Sequence, residues 1–192
     1  MLKFTPNTAI SYLWITFLLV WGIGALGAKA NAKRQSLLSR LEQSIPVIAS
    51  YLLIFDRGLW PHWLRQHFFS ESDTTLVWTG VLLTALGIGF AIWARSWIGS
   101  NWSGTITIKD RHELVQGGPY RIVRHPIYSG MFLAYLGTAL AFGEIRGLLG
   151  FPLLVLGFGM KLRMEETFML QQFGNVYVDY KHRVKAVVPF LI

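Results

Sequence analysis

The sequence predicts an all-α integral membrane protein: one domain over residues 1–192, about five transmembrane helices, N-terminus outside and C-terminus inside. Three observations predict it. Of 192 residues, 53% are hydrophobic and only 15% are charged, whereas a soluble domain has about 25% charged residues. Several apolar runs approach or exceed the roughly 18 residues that mark a membrane span. With the spans assigned below, fourteen of the eighteen Lys and Arg residues fall on one side, leaving Lys3, Arg57, Arg65 and Arg146 on the other. Basic residues favour the cytoplasmic side, which sets the orientation.

Span one is Ile10 to Ala28, stopped by Lys29, Lys33 and Arg34. Ala28-Lys29-Ala30 has a little of a signal-peptidase site, but the apolar run is longer than a signal core, so it reads as a span. Gly22, Gly24 and Gly27 suit close helix packing. Span two is the weakest, from about Ile45 to Trp60, with Asp56 and Arg57 near its end, paired or marking the interface. Trp60, His62 and Trp63 fit an interfacial belt, and the chain through Phe69 reads as a surface-lying stretch. Span three, Thr74 to Ala94, is the clearest, anchored by Arg95, Trp97 and Trp102. A polar connection over 101–124 follows, with Thr105-Ile106-Thr107-Ile108 as a short extended piece. Residues 1–94 thus hold spans one to three, and residues 95–192 hold the rest.

Span four is Pro126 to Gly143, with Pro126 placed where a helix tolerates a missing N–H. Glu144 to Gly147 reads as a tight turn. Span five starts near Gly147 and is apolar only to Met160. Fourteen residues rise about 21 Å, less than a core of about 30 Å, so the helix is expected to run on through Leu170 and carry Glu165 and Glu166 outward. Residues 173–192 are basic and aromatic and are expected to fold back over the membrane face.

Composition also excludes. The net charge of +8 could suggest nucleic acid, but the basic residues collect beside spans, as topology and anionic lipid require. The absence of cysteine rules out disulfides, thiolate catalysis and Cys-ligated metal. No spaced His/Asp/Glu set argues for a metal, and no Gly-rich dinucleotide motif occurs.

The candidate chemistry sits where spans four and five meet the inner face. Arg124 and His125 precede Pro126, at a helix N-terminus that favours negative charge. They are either a seat for a carboxylate or phosphate, or juxtamembrane anchors. Glu165 and Glu166 end span five, and spans four and five form an antiparallel hairpin, so the two ends are neighbours. Carboxylates at membrane depth are costly unless paired or wet. Adjacent helical residues point about 100° apart, so the two glutamates are expected to address different targets. The plainer alternative is that Lys161–Glu165 and Arg163–Glu166 form helix-surface ion pairs.

Gly118-Pro119-Tyr120 followed by Arg124-His125-Pro126-x-Tyr128-x-Gly130 resembles the signature of the isoprenylcysteine carboxyl methyltransferase family. Glu165-Glu166, Phe173-Gly174, Tyr177-x-x-Tyr180 and Pro189-Phe190 continue in the family's order, and Asn101 and His112-x-Leu114-Val115 also match. The resemblance covers roughly residues 95–192, with phospholipid N-methyltransferases and membrane sterol reductases in the wider superfamily. It implies an S-adenosylmethionine-dependent membrane methyltransferase with a cytosolic C-terminal cofactor-binding segment. A tunnel open to the bilayer would admit a lipophilic or lipidated acceptor, with membrane lipids around it. It implies that His125 holds the cofactor carboxylate, and that Glu166, or Glu165, holds its ammonium or ribose. Leu114, Val115 and Gln116 would offer backbone groups to adenine beside Gly118, and Tyr120 and Tyr128 would wall the pocket. Arg124 or Arg163 would orient an anionic acceptor, and Arg124, Arg163 and Glu166 would form the catalytic set. A bacterial inner membrane or an endoplasmic reticulum would suit it, with the site facing the cytosol.

One departure matters. Family members acting on prenylated protein C-termini have more spans and a longer N-terminal region; this chain is more similar to the prokaryotic members. The resemblance implies an isoprenylcysteine-like acceptor, and the departure opens the choice to another lipophilic carboxylate, with a phospholipid amine or other small amphiphile as the alternative. An NADPH-dependent reductase and a non-enzymatic membrane protein are the readings from other classes. Tyr177 and Tyr180 are either interfacial anchors or part of the site, and His182 is expected at the surface.

Overall fold

The computed structural model describes residues 4–26, 37–56, 58–70, 73–99 and 114–189. Asn101, the 105–108 stretch, His112, Ala28-Lys29-Ala30, Gly27, Arg57 and Phe190, all singled out above, lie outside them. The described chain is helical: α1 (Pro6–Leu26), α2 (Leu37–Phe55), α3 (Thr74–Ile98), α4 (Pro126–Phe142), α5 (Ile145–Phe173) and α6 (Asn175–Arg183). Short 3-10 turns occupy His62–Arg65 and Gly118–Arg121. Three helices are long and apolar enough to cross a membrane: α1, α3 and α5. The apolar α4 is shorter, with 17 residues. Outward faces stay apolar, with Leu18 64%, Ile23 70% and Leu82 58% exposed; such a surface belongs against lipid.

Several helix boundaries depart from expectation: α1 starts at Pro6 rather than Ile10, α2 at Leu37 rather than Ile45, and α3 runs to Ile98 rather than Ala94. Two further departures have a local reason. The second apolar segment ends as a helix at Phe55, not Trp60. Asp56 Oδ1 accepts from the N–H groups of Gly58 (2.8 Å) and Leu59 (3.1 Å), an Asx turn that competes with further helix. The turn expected over 144–147 is shorter. Gly143, left-handed at φ 65°, caps α4, and α5 already begins at Ile145. Arg146 is therefore in a helix and only 2% exposed. It pairs with the buried Glu144 and donates to the carbonyls of Leu53 (3.0 Å) and Asp56 (2.7 Å). The guanidinium thus ties the end of α2 to the start of α5, satisfying carbonyls that a helix C-terminus leaves open. As expected, α5 runs on past Met160; its 29 residues span about 43 Å.

The core centres on α4. One side packs on α1 and α3 through Ile10, Trp14, Phe17, Ile88 and Ala134. The other meets α2 and α5 through Ile54, Tyr135 and Leu154. A Cβ on Gly22 would meet nothing within 4 Å, whereas one on Gly24 would lie 3.0 Å from Arg95 Nη2, so Gly24 is closely packed as expected; the seam between α3 and α4 rests on two glycine pairs. A Cβ on Gly87 would sit 2.4 Å from Ala134 N, and one on Gly137 would sit 2.4 Å from Thr84 N. Gly80 and Gly130 are equally tight. Glycines seven apart on α3 face glycines seven apart on α4, and backbones touch, as small residues allow in membrane helices. Thr84 and Thr138 share a hydrogen bond of 3.2 Å across this seam, and Trp14 Nε1 donates to Thr138 at 3.0 Å. Gly87→Ala is expected to lower stability by about 1–3 kcal/mol through overpacking. The melting temperature in detergent should fall by several degrees, while Gly22→Ala should leave it unchanged.

Candidate active site

The helix start at Pro126 positions the site. Gly118, at φ 57°, reverses the chain under Trp97, whose ring would lie 2.5 Å from any Cβ there. That fold-back feeds the 3-10 turn of Gly118–Arg121 and then His125, the residue flanking α4 on its N-terminal side. Here the C-terminal segment joins. Arg124 N donates to Lys185 O and His125 N to Ala186 O, both at 2.8 Å. Ser129 Oγ donates to Val187 O at 2.6 Å. The two stretches expected to share a membrane face do meet, residue against residue.

Glu166, 8% exposed, lies at the centre. Its Oε1 accepts from Arg124 Nε at 2.8 Å and from Tyr177 at 3.1 Å. Lys181 Nζ stands 2.6 Å from Oε2. His125 Nε2 is 3.1 Å from Glu166 and Nδ1 is 3.5 Å from Glu165. Glu165 also accepts from the Tyr128 hydroxyl at 2.6 Å. Adjacent positions on α5 do address different partners, yet both reach His125 from opposite sides of its ring, a convergence the 100° argument missed. Of the two helix-surface pairs, Arg163–Glu166 does not form, since Glu166 turns to Arg124 and Arg163 stays exposed outside the cluster, whereas the charge of Lys161 does act on Glu165. Lys161 sits 5.9 Å over the Tyr128 ring.

Electrostatics follow from this geometry. An imidazole whose two nitrogens both face carboxylates meets an acceptor on each side and needs a proton on each nitrogen, so the doubly protonated ring fits best. Burial pushes the His125 pKa down, but hydrogen bonds and charge from Glu165 and Glu166 overcome it and hold it above the ordinary value. Burial, reinforced by Glu166, raises the Tyr177 phenol, which therefore stays a donor. Arg124, His125 and Lys181 together outnumber the two carboxylates by one charge.

Of the residues the sequence singled out, Arg124, His125, Tyr128, Glu165 and Glu166 converge. Tyr120 is buried beside them, its carbonyl accepting from Tyr180 at 2.5 Å. Leu114, Val115 and Gln116 are half-buried on the approach, and Gln116 Oε1 accepts from Arg183 at 3.0 Å. Tyr177 and Tyr180 are buried in the site rather than at an interface, and His182 is exposed as expected. Lys181 was missed. The available signal was its spacing: it follows Tyr177 by four residues, so one face of α6 presents both. Phe158, its ring centroid 5.0 Å from that of Tyr128 and tilted by 31°, was missed as well.

Comparison with known proteins gives the family. The family model described as phospholipid methyltransferase matches residues 75–176, a range that includes Arg124, His125, Glu165 and Glu166. The chain is 29% identical over 175 residues to protein-S-isoprenylcysteine O-methyltransferase B of Arabidopsis thaliana, covering 87% of this chain and 83% of that protein. It is 30% identical over 155 residues to the protein-S-isoprenylcysteine O-methyltransferase of Mus musculus, covering 79% of this chain but 52% of the mouse protein. Among solved structures, the eukaryotic intramembrane Ras methyltransferase, an isoprenylcysteine carboxyl methyltransferase, superposes with a TM-score of 0.62 at 25% identity. That match covers 77% of this chain and 52% of the other. The chain belongs to the phospholipid methyltransferase family, on its isoprenylcysteine carboxyl methyltransferase side, and is a membrane methyltransferase.

Proposed function

We propose that this chain methylates the carboxylate of an isoprenylcysteine-like or other lipophilic acceptor, using S-adenosylmethionine, at a site facing the cytosol in a five-span, N-out and C-in topology. The observation that carries the reading is the charge cluster of Arg124, His125, Glu165, Glu166 and Lys181 where α4, α5 and α6 meet.

The donor set fits the cofactor's zwitterionic end. An ammonium needs a carboxylate and a carboxylate needs cationic donors, and the cluster offers both within one hydrogen-bonded group. Glu166 and Glu165 would hold the ammonium or ribose, and His125 with the start of α4 would hold the carboxylate. Leu114, Val115 and Gln116 would border the adenine, with Gly118 fixing the turn and Tyr120 and Tyr128 as walls. When bound, the cofactor supplies an activated methyl group on a sulfonium.

The protein's part is positioning and exclusion of water. A carboxylate acceptor is ionised near pH 7 and needs no general base. The surplus positive charge of the cluster favours such an acceptor over an ammonium-bearing lipid. Arg124 is fully engaged, on Glu166 and on the carbonyls of Lys181 and Val184. It therefore positions Glu166 and the C-terminal segment, while exposed Arg163 remains available to meet an anionic acceptor.

The test is label transfer from methyl-labelled S-adenosylmethionine by purified protein. A farnesylated cysteine with a free carboxylate should be methylated, and its carboxamide should not. Phosphatidylethanolamine should accept label at least tenfold more slowly. Preferential labelling of the amine lipid would replace this reading by the phospholipid one.

A further inference from the structure

A second charged feature lies outside the cluster. A cavity of about 230 Å³ is lined by Gln116, Arg121, Tyr180, Arg183 and Val184. Arg121 and Arg183 are both exposed. Arg183 donates to Gln116 Oε1 at 3.0 Å and to the carbonyl of Asp179 at 3.3 Å. Among the described residues, neither arginine has a carboxylate partner. Two guanidinium groups bordering one cavity repel each other unless an anion bridges them. The planar fork of arginine suits phosphate oxygens especially well.

Depth indicates the source of that anion. The 17 residues of α4 rise only about 25 Å, less than a hydrocarbon core of about 30 Å. A helix that short reaches no further than the edge of the hydrocarbon, so Pro126 would lie there and Arg121, ahead of it in the chain, would reach the headgroups. Next to these arginines in the chain, apolar side chains are exposed: Ile122, which follows Arg121, is 44% exposed, and Val176 on α6, the helix of Arg183, is 57% exposed. Cations beside exposed apolar side chains form a surface that enters the headgroup region.

We propose that this cavity binds the phosphate of an anionic phospholipid in the leaflet on the active-site side, bridged by Arg121 and Arg183. The site does not depend on the methyl-transfer reading. It would link the lipid to the approach to the cluster, because Arg183 also holds Gln116 and follows Lys181 on α6.

The experiment uses the full chain in phosphatidylcholine nanodiscs and measures energy transfer from tryptophan to dansyl-labelled phosphatidylglycerol. Saturable binding, at least tenfold tighter than for dansyl-labelled phosphatidylcholine, is expected. Arg121→Gln with Arg183→Gln should remove that preference. Arg40→Gln changes an exposed arginine at the same end of the bundle and should not. Circular dichroism melting confirms that each variant is folded. Equal binding of both lipids, or equal loss in Arg40→Gln, would overturn the proposal. Displacement of the lipid by millimolar inorganic phosphate would make this a small-anion site instead. Displacement by S-adenosylhomocysteine would assign the cavity to the cofactor and likewise overturn the lipid site. Failure of the methyl-transfer assay alone would leave it standing.

Discussion

Glu166→Gln should weaken binding of the cofactor product, S-adenosylhomocysteine, by roughly thirtyfold or more, the equivalent of about 2–5 kcal/mol lost when one partner of a buried charge pair is removed. The same variant should lose about 3–5 kcal/mol of stability, because it strips a nearly buried anion from among its cations. Arg124, His125 and Lys181 all lie within 3.1 Å of Glu166, and a neutral amide cannot offset three positive charges. Glu165→Gln makes the contrast. Glu165 has a 28% exposed side chain and meets His125 at 3.5 Å, so its change should cost visibly less in both calorimetry and thermal melting. Equal effects would mean that the two carboxylates act as one unit.

Stability should fall as the solution becomes alkaline, and His125 should be the cause. Its pKa in the folded protein is raised, because Glu165 and Glu166 together outweigh burial. A group with a raised folded pKa contributes its full stabilisation below the unfolded value of about 6.5 and loses it as pH rises through the folded value. Melting temperature should therefore decline from neutral pH upward, with a slope of at most about 1.4 kcal/mol per pH unit for one proton. His125→Gln should be less stable at pH 6 and should show a flatter profile above it. A variant that keeps the wild-type slope would assign the titration to another group.

What was legible in the sequence was local. Pro126 at the first position of α4 and Gly143 in a left-handed cap bound that helix as their chemistry dictates. The run of α5 beyond Met160 followed from bilayer thickness. The end of α2 was not legible, because it depends on one aspartate oxygen choosing the backbone of Gly58 and Leu59. The glycines at 80, 87, 130 and 137 become informative only once α3 and α4 are known to face each other. The site shows the same division. Arg124-His125 and Glu165-Glu166 could be placed at one end of a hairpin. Which cation meets which carboxylate could not, since Arg124 reaches Glu166 across 42 residues and Lys181 arrives from a separate helix. Arg146 was legible only as one more basic residue; its burial against Glu144 and the end of α2 is tertiary.

The central claim is that this cluster is built to hold S-adenosylmethionine. Calorimetric titration of the wild-type protein in detergent with S-adenosylhomocysteine, with NADPH as the comparison, tests it most directly. Saturable binding of the nucleoside, absent for NADPH and lost in His125→Ala and Glu166→Ala, is the expected result. Wild-type affinity in both variants would separate the cluster from the cofactor, and binding of NADPH in place of the nucleoside would contradict the account altogether.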